Sequence, residues 1–379
     1  WTYNTSIIPG KTLLFSYTGS DWNTIKVPAG DTVINDYYNS ASVGNVPFYN
    51  QKNVKNVDLQ FVPFRNNSMS YAFGVCSNLT AVTNISSSVT SMNYTFQNCT
   101  SLNQNIQIPS SVTHMSFTFN NCTNLNQNIQ IPNSVTSMFS TFSYCSNLNQ
   151  NIQIPNSVTN MGSTFYNCHN LNQNIQIPNS VTSMSQTFAF CALLNQNIQI
   201  PNSVIGMGST FYSCHNLNQN IQIPDSVTNL SSTFFYCINL NQNIQIPNSV
   251  TNMNSTFGSC LNFNQNVQIP NSVTSVSGTF RNCTSLNQNI QIPNSVTSMG
   301  ATFEDCNSLS GRINVFTTEL TSSTNTFYNT SLPKDVYIYY TYANGDYTNT
   351  YNLVVASTNR TKWDGQNGVT IHNLGSAPW

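Results

Sequence analysis

Hydrophobic and polar residues follow one pattern that returns every 23 residues along most of this chain. In one repeat, Ile175 and Ile177 alternate with Asn174 and Gln176, which is the period of a half-buried β-strand. Pro178 then ends the predicted strand, because proline has no N–H group to donate to a strand ladder. The first half of the repeat therefore predicts a short strand followed by a turn.

The second half of the repeat has a helical period. Met184, Phe188, Cys191 and Leu194 follow one another at intervals of four, three and three residues, which predicts one face of an α-helical or 3₁₀ segment. One repeat cannot bury both this stripe and its isoleucine pair, whereas stacked repeats bury them continuously, so the pattern predicts a solenoid with parallel strands. The predicted structural core of this repeat consists of Ile175, Ile177, Met184, Phe188, Cys191 and Leu194.

The repeats divide the chain into three regions. Eleven cysteines follow one another at intervals of 23 residues from Cys76 to Cys306, and a phenylalanine precedes each of them by three positions. We count nine clean repeats, two degenerate repeats before them and one frayed repeat after them, about twelve in all. The predicted regions are an N-terminal β-rich cap at 1–55, the repeat array at 56–332 and a C-terminal cap at 333–379. Asn344-Gly345 lies between two tyrosine-rich runs in the last region and predicts a β-hairpin.

Composition excludes two kinds of partner. Charged residues make up only 6% of the 379 residues, and ten Lys and Arg oppose eleven Asp and Glu. Without a basic field, binding to nucleic acid is not expected. No run of 18 apolar residues occurs, so membrane insertion is not expected either. Because the chain begins at Trp1 rather than Met, we expect it to come from a longer or processed chain.

The repeat resembles a known family. Its consensus Leu-x-x-x-Ile-x-Ile-Pro-x-Ser-Val-Thr-x-Met-x-x-x-Phe-x-x-Cys is similar to the BspA-like leucine-rich repeat of bacterial surface proteins. The phrases Val158 to Met161 and Phe263 to Asn266 also resemble a related surface-lipoprotein repeat. The resemblance implies an α+β leucine-rich-repeat solenoid, exposure on a surface, and a role in adhesion or partner binding. Similar repeats also occur in virion proteins of phages.

The cysteines could form disulfides, bind a metal ion or pack in the core as free thiols. Neighbouring repeats place their Cα atoms about 4.8 Å apart with parallel Cβ vectors, which is poor geometry for a disulfide. A linear column also does not converge on a metal ion. We therefore expect eleven reduced, unmetallated thiols that pack as small hydrophobic groups, with no cofactor.

Catalytic chemistry is not expected. From Ser101 to Phe303 the only charged side chains are Asp225 and Arg281, and the adjacent Glu304 and Asp305 do not form a facing pair of carboxylates. His169 and His215 share one phase but are two repeats apart, which is too far for both to bind one metal ion. We predict that the protein is not an enzyme.

Two surfaces are candidates for binding. The Asn-Gln-Asn tract either forms an amide ladder between repeats or presents amides to a ligand, and the two roles are compatible. The segment between Met and Cys varies most from repeat to repeat, and its aromatic residues form either a docking ridge or a tolerant outer face. All four tryptophans lie in the terminal regions. The predicted binding residues are Tyr144, Tyr166, Tyr212, Tyr236, Trp363 and Trp379.

Together these observations predict a non-enzymatic, extracellular recognition or adhesion protein on a bacterial cell or a phage virion. Its predicted partner is a host-surface protein or glycan. The alternative is a structural or decoration subunit that joins neighbouring copies in a surface assembly.

Overall fold

The computed structural model describes residues 24–26, 48–50, 52, 54–59, 64–317, 320–330, 335–338 and 370–373. The chain forms two compact units, Trp1–Val181 and Thr182–Trp379. In each unit, every 23-residue repeat makes one coil, and successive coils stack. Asn344-Gly345 of the predicted hairpin, together with Trp363 and Trp379, lies outside the described residues.

All strands with described pairing are parallel. In the first unit, β1 (Thr24–Lys26), β2 (Asn56–Asp58) and β3 (Ala81–Thr83) form a sheet in chain order. In the second unit, β4 (Ile290–Ile292), β5 (Ile313–Val315), β6 (Asp335–Ile338) and β7 (Thr370–Asn373) form another sheet in chain order. Parallel pairing between successive coils confirms the predicted direction of stacking.

The Met-to-Cys segment is not a helix, so this part of the prediction is wrong. Within the described residues, the helical content is one 3₁₀ turn at Arg65–Asn67. The segment is a spiral of tight turns, in which Thr187 N donates to Met184 O at 3.0 Å and Cys191 N donates to Phe188 O at 3.0 Å. Alternate N–H groups instead donate to the next coil, as Phe188 N does to Thr210 O at 2.9 Å. Because half of the N–H groups leave the coil, no α-helical ladder can form.

Two residues of each spiral adopt the left-handed conformation. In the coil of Met184 these are Gln186, with φ of 58°, and Phe190, with φ of 62°. The first is the third residue of the turn closed by Thr187, and that position of a type II turn requires a positive φ. The same two positions have positive φ in other coils, for example Ser232 at 55° and Tyr236 at 61°. A left-handed residue every four positions ends any helix before it can begin.

The Ile-x-Ile segments are strands only at the end of the array. Ile290–Ile292 pairs with Ile313–Val315, whereas Ile175 N turns back to Gln173 O at 3.0 Å. Between other coils the parallel contact lies one residue before Met, as between Ser91 and His114. The predicted strands are therefore in the wrong place for most coils, although their direction is right.

The predicted core is buried except at one position. Ile175, Met184, Phe188, Cys191 and Leu194 are each 0% exposed. Ile177 is only partly buried, and its segment is not paired with a neighbouring strand. Where pairing does occur, the equivalent Ile292 is 0% exposed.

A column of phenylalanine rings fills each unit. Phe142 and Phe165 of the first unit are parallel with centroids 5.8 Å apart, and Phe188 and Phe211 of the second are 5.7 Å apart. In the predicted N-terminal cap, Phe48 lies in the same way against Phe73 at 5.0 Å. The sequence did not reveal this extra layer, because Phe48 lies outside the 23-residue spacing.

Candidate recognition surfaces

The cysteine column belongs to the core rather than to a site. All eleven thiols are buried free cysteines. Cys214 Sγ donates to the carbonyl oxygen of Phe188, one coil back, at 3.1 Å, and Cys237 Sγ donates to Phe211 O at 3.0 Å. Burial raises the pKa of the Cys214 thiol well above its ordinary value, with neighbouring thiols adding to the effect. Protonated thiols held in this way pack as the small hydrophobic groups that the sequence predicts.

The carboxylates near the end of the array interact with neighbouring side chains. Arg281 Nε lies 3.1 Å from Glu304 Oε2, and Asn329 Nδ2 donates to Asp305 Oδ1 at 2.7 Å. His215 contacts Tyr236 edge to face, with ring centroids 5.0 Å apart. Within the described residues, no three His, Cys, Asp or Glu side chains are grouped as a metal ion would need.

The Asn-Gln-Asn tract divides into an inner and an outer half. The first Asn of each tract accepts hydrogen bonds from the next coil: Asn126 N donates to Asn103 Oδ1 at 2.9 Å, and Gln127 Nε2 donates to the same oxygen at 3.1 Å. The second unit repeats the arrangement at Asn195, which accepts from Asn218 N at 2.9 Å. The predicted amide ladder is thus confirmed for the first Asn and Gln of the tract.

The outer half of the tract faces solvent. Asn174 and Gln176 are exposed on either side of the buried Ile175. Gln176 Nε2 donates within its own coil to Asn174 O at 3.4 Å. We call the exposed Asn and Gln that flank the first isoleucine of each clean repeat the outer amide face; its members run from Asn105 and Gln107 to Asn289 and Gln291.

In the first unit, two predicted binding tyrosines lie together. Tyr144 is 42% exposed, and its ring centroid lies 5.3 Å from that of Tyr166 at an angle of 53°. The left-handed conformation of Tyr144, with φ of 63°, is set by the turn spiral. Both rings therefore project from backbone that hydrogen bonds fix, and Tyr144 N donates to Tyr166 O at 2.6 Å.

In the second unit, Tyr212 belongs to an aromatic cluster, and Tyr236 contacts His215. Tyr212 lies between Phe190, at 5.2 Å, and Phe235, at 5.0 Å. Tyr236 is 42% exposed. The rings of Phe190, Tyr212 and Phe235 thus lie side by side on successive coils, and the binding role of Tyr212 and Tyr236 stays a prediction. We call these residues, with Tyr144 and Tyr166 in the first unit, the aromatic ridge.

A second aromatic stack, which the sequence analysis does not predict, lies in the first unit. Tyr71, Tyr94 and Phe117 stack face to face, with centroids 4.5 and 4.6 Å apart, and Phe139 meets the last of them edge to face at 5.4 Å. Burial and the neighbouring Tyr71 raise the pKa of the Tyr94 phenol. The signal was available, because three successive repeats have an aromatic residue two positions after Met.

Three glycines leave room for an aromatic ring that packs against their backbone. A Cβ atom on Gly258 would lie 2.8 Å from the Phe235 ring, and one on Gly74 would lie 2.8 Å from the Tyr49 ring. A Cβ on Gly162 would lie 3.1 Å from the ring of Phe139. The absence of a side chain lets each ring lie close to the next coil.

Two families match the sequence. The family described as "BspA type Leucine rich repeat region" matches residues 16–149 and 66–195, in six copies. The chain carries BspA-type leucine-rich repeats. The family described as "Mycoplasma protein of unknown function, DUF285" matches residues 206–316 and 269–363. No catalytic family is among these matches, and no curated protein sequence matches the chain.

Solved structures share the fold of these BspA-type repeats. A leucine-rich repeat protein from Bacteroides ovatus is 22% identical with a TM-score of 0.63, over 95% of this chain and 98% of that one. A leucine-rich cell surface protein from Faecalibacterium prausnitzii is 22% identical with a TM-score of 0.54, over 90% and 92%. A leucine-rich repeat protein from Eubacterium ventriosum is 18% identical with a TM-score of 0.50, over 82% and 89%.

The BspA-type coils contain no membrane-spanning helix. In the part of the chain that the structure describes, no helix is both long and apolar enough to cross a bilayer.

Proposed function

We propose that the protein is a non-enzymatic, extracellular recognition or adhesion protein on a bacterial cell or a phage virion. The observation that supports this most is the aromatic ridge, since Tyr144 and Tyr236 are each 42% exposed. Tyrosine is among the residues that dominate binding hot spots, because one side chain offers both apolar area and a hydroxyl.

The backbone favours this use of the ridge. The turn spiral is held by main-chain hydrogen bonds such as Phe190 N to Tyr212 O, at 2.6 Å. Ring positions set by the main chain lose little conformational freedom when a partner binds. The B. ovatus and F. prausnitzii structures support the fold that presents these rings, and the latter protein is described as a cell surface protein.

The test is binding to host cells and to a glycan array. A ridge variant replaces Tyr144, Tyr166, Tyr212 and Tyr236 with Ser, and we expect it to lose binding while keeping its fold. The control replaces Leu193 and Ile205, which are 41% and 56% exposed, with Ser. Equal loss in both variants, or loss in neither, would contradict a role for the ridge.

Trp363 and Trp379 remain predicted contributors to binding. Replacing each of them with Ser tests the contribution of the C-terminal region in the same assays. If binding depends on these two residues alone, the site lies in the terminal region rather than on the ridge.

The alternative function is a structural or decoration subunit. The outer amide face favours this alternative, because an identical surface on every clean repeat can contact the same surface of another copy. Sedimentation of the purified protein distinguishes the two functions, because a structural subunit assembles alone and a recognition protein stays monomeric until its partner is added.

A further inference from the structure

We propose that the outer amide face of each unit, Asn105 to Gln176 in the first and Asn197 to Gln291 in the second, binds an uncharged linear polysaccharide along the stacking direction of its coils. This inference rests on the proposed recognition function and names one ligand class for a surface separate from the aromatic ridge. The outer amide face differs from the turn segments of the same coils in how little it varies from repeat to repeat.

The outer amide face is constant, although among the described residues only its last Asn makes a side-chain hydrogen bond between coils: Arg312 N donates to Asn289 Oδ1 at 2.7 Å. The pair formed by the second Asn and the following Gln is present in all nine clean repeats, from Asn105 and Gln107 to Asn289 and Gln291. An exposed turn position of the same repeats varies: the residue before Cys is Tyr144 or Tyr236, each 42% exposed, in two coils, and Asn167 or Ser259 in others. Recent duplication alone would leave both parts equally uniform, so the face is under a constraint that the turns lack.

Structural demands account for two other constant polar positions, the inner Asn and the Thr before Phe, whereas the exposed Asn after the repeat proline is less constant, since Ser110 and Asp225 replace it. The inner Asn103 accepts two hydrogen bonds from the next coil, and buried Thr118 Oγ1 lies 2.8 Å from Met92 O and 2.7 Å from Met115 O. The hydrogen bonds of the outer glutamines stay within one coil, as for Gln107 Nε2 to Asn105 O at 3.3 Å. Serine or threonine would keep these exposed positions soluble equally well, so solubility does not explain the repeated amides.

The chemistry of the face indicates its ligand. Each coil offers two amides, and each amide has donors and an acceptor that match sugar hydroxyls. Between Ser101 and Phe303 the only charged side chains are Asp225 and Arg281, so the face complements an uncharged polymer and offers no partner to an acidic one. One amide pair recurs about every 4.8 Å, and only a ligand that is itself periodic can use successive pairs.

A second copy of the chain fits this face less well. Amide faces that join as dry zippers are built on flat, hydrogen-bonded strands. Here Ile175 N turns back to Gln173 O at 3.0 Å, and ladder pairing of the Ile-x-Ile segments is found at β4 and β5. A wet surface of separate amides suits hydroxyls better than it suits its own copy.

The experiment measures co-sedimentation with insoluble cellulose, chitin and starch, and affinity electrophoresis in soluble neutral glucomannan. Polygalacturonate serves as the acidic comparison. We expect binding to at least one neutral polymer, weaker binding to its short oligosaccharides, and none to polygalacturonate. Weak contacts repeated along the polymer give this dependence on chain length.

A variant and a matched control separate the face from the rest of the coil. The face variant replaces the nine outer glutamines, every twenty-third residue from Gln107 to Gln291, with Ser. The control replaces with Ser the seven exposed asparagines that follow the repeat proline between Asn133 and Asn294, leaves Asp225 unchanged, and uses a residue that occurs naturally there as Ser110. With folding verified by circular dichroism, we expect the face variant to lose on the order of tenfold in affinity and the control to lose little.

Four outcomes overturn the inference. They are no binding to any neutral polymer, preference for polygalacturonate, equal binding by the face variant, and self-association that the face variant abolishes. If wild-type protein still binds host cells in any of these cases, the proposed recognition function stands without this site. If it binds neither cells nor polymers, both proposals fail.

Discussion

The buried cysteine column predicts that alkaline pH unfolds this protein. Burial raises the pKa of eight thiols, and for Cys306 the raised pKa is about 12 against an ordinary value of 9.0. A thiol with a raised pKa stays protonated in the folded chain while it ionises in the unfolded chain. Its contribution to stability is therefore complete below pH 9 and is lost as the pH rises toward the folded pKa.

The expected effect is large because the column is long. One pH unit above the unfolded pKa, each such thiol lowers the free energy of unfolding by about 1.4 kcal/mol. Eight thiols then remove on the order of 11 kcal/mol at pH 10, which is comparable to the whole stability of an ordinary domain. Tyr94 adds an effect of the same sign, because its phenol pKa is also raised.

The assay is urea denaturation followed by circular dichroism at half-unit steps from pH 7 to pH 10. Replacing Cys237 with Ala should lower the slope of stability against pH by about 1.4 kcal/mol per unit above pH 9. Replacing the buried Ser213 with Ala, as a control, should lower stability at every pH and leave the slope unchanged. A wild-type protein equally stable at pH 7 and pH 10 would refute the reasoning, as would a Cys237 variant with the wild-type slope.

Four further predictions concern individual positions. Alkylation without reductant should add eleven labels to the denatured chain and few to the folded one, whereas fewer than eleven after denaturation would indicate disulfides or modification. Phe188→Ala should cost about 3–5 kcal/mol in urea denaturation, and a loss below about 1 kcal/mol would mean that the ring column is not tightly packed. Gly258→Ala should cost about 1–3 kcal/mol because its Cβ meets a ring at 2.8 Å, while Gly208→Ala, with its nearest atom at 3.8 Å, should change stability by less than about 0.5 kcal/mol. Ser232→Gly should stabilise by about 0.5–1 kcal/mol because Ser232 has φ of 55°, and the neighbouring Ser231→Gly should destabilise by a similar amount; opposite signs would contradict the left-handed turn.

The core could be predicted from sequence because burial leaves a periodic trace. The positions of Met184, Phe188, Cys191 and Leu194 were recognised from spacing alone, and all four are fully buried. Their secondary structure was misread, since intervals of four, three and three residues also arise from successive tight turns. Left-handed positions usually show as glycine, but here Asn, Ser and Tyr occupy most of them, and residues so common along this chain do not mark single positions.

The strands were misplaced because a side chain takes the role of a backbone acceptor. Asn126 N donates to the side-chain oxygen of Asn103 at 2.9 Å, rather than to a backbone carbonyl of a strand ladder. Asparagine competes with secondary structure in this way wherever its amide can reach a neighbouring N–H group. The alternating pattern of Ile175 and Ile177 records one buried side and one exposed side, and it does not record which groups make the hydrogen bonds.

The same distinction separates the two outer surfaces of the coil. In the turn spiral the main chain makes the contacts between coils, as Gln186 N does with Gly208 O at 3.0 Å. Outward side chains of the turn spiral can therefore change without loss of the fold, and a tyrosine can replace another residue in one coil independently of the next. In the amide tract the inner side chains make the contacts between coils, which explains why Asn103 and Gln104 recur. That demand does not extend to Asn105 and Gln107, whose side chains point to solvent. Their constancy therefore points to a partner outside the fold, whereas the variety of the turns is what the fold alone permits.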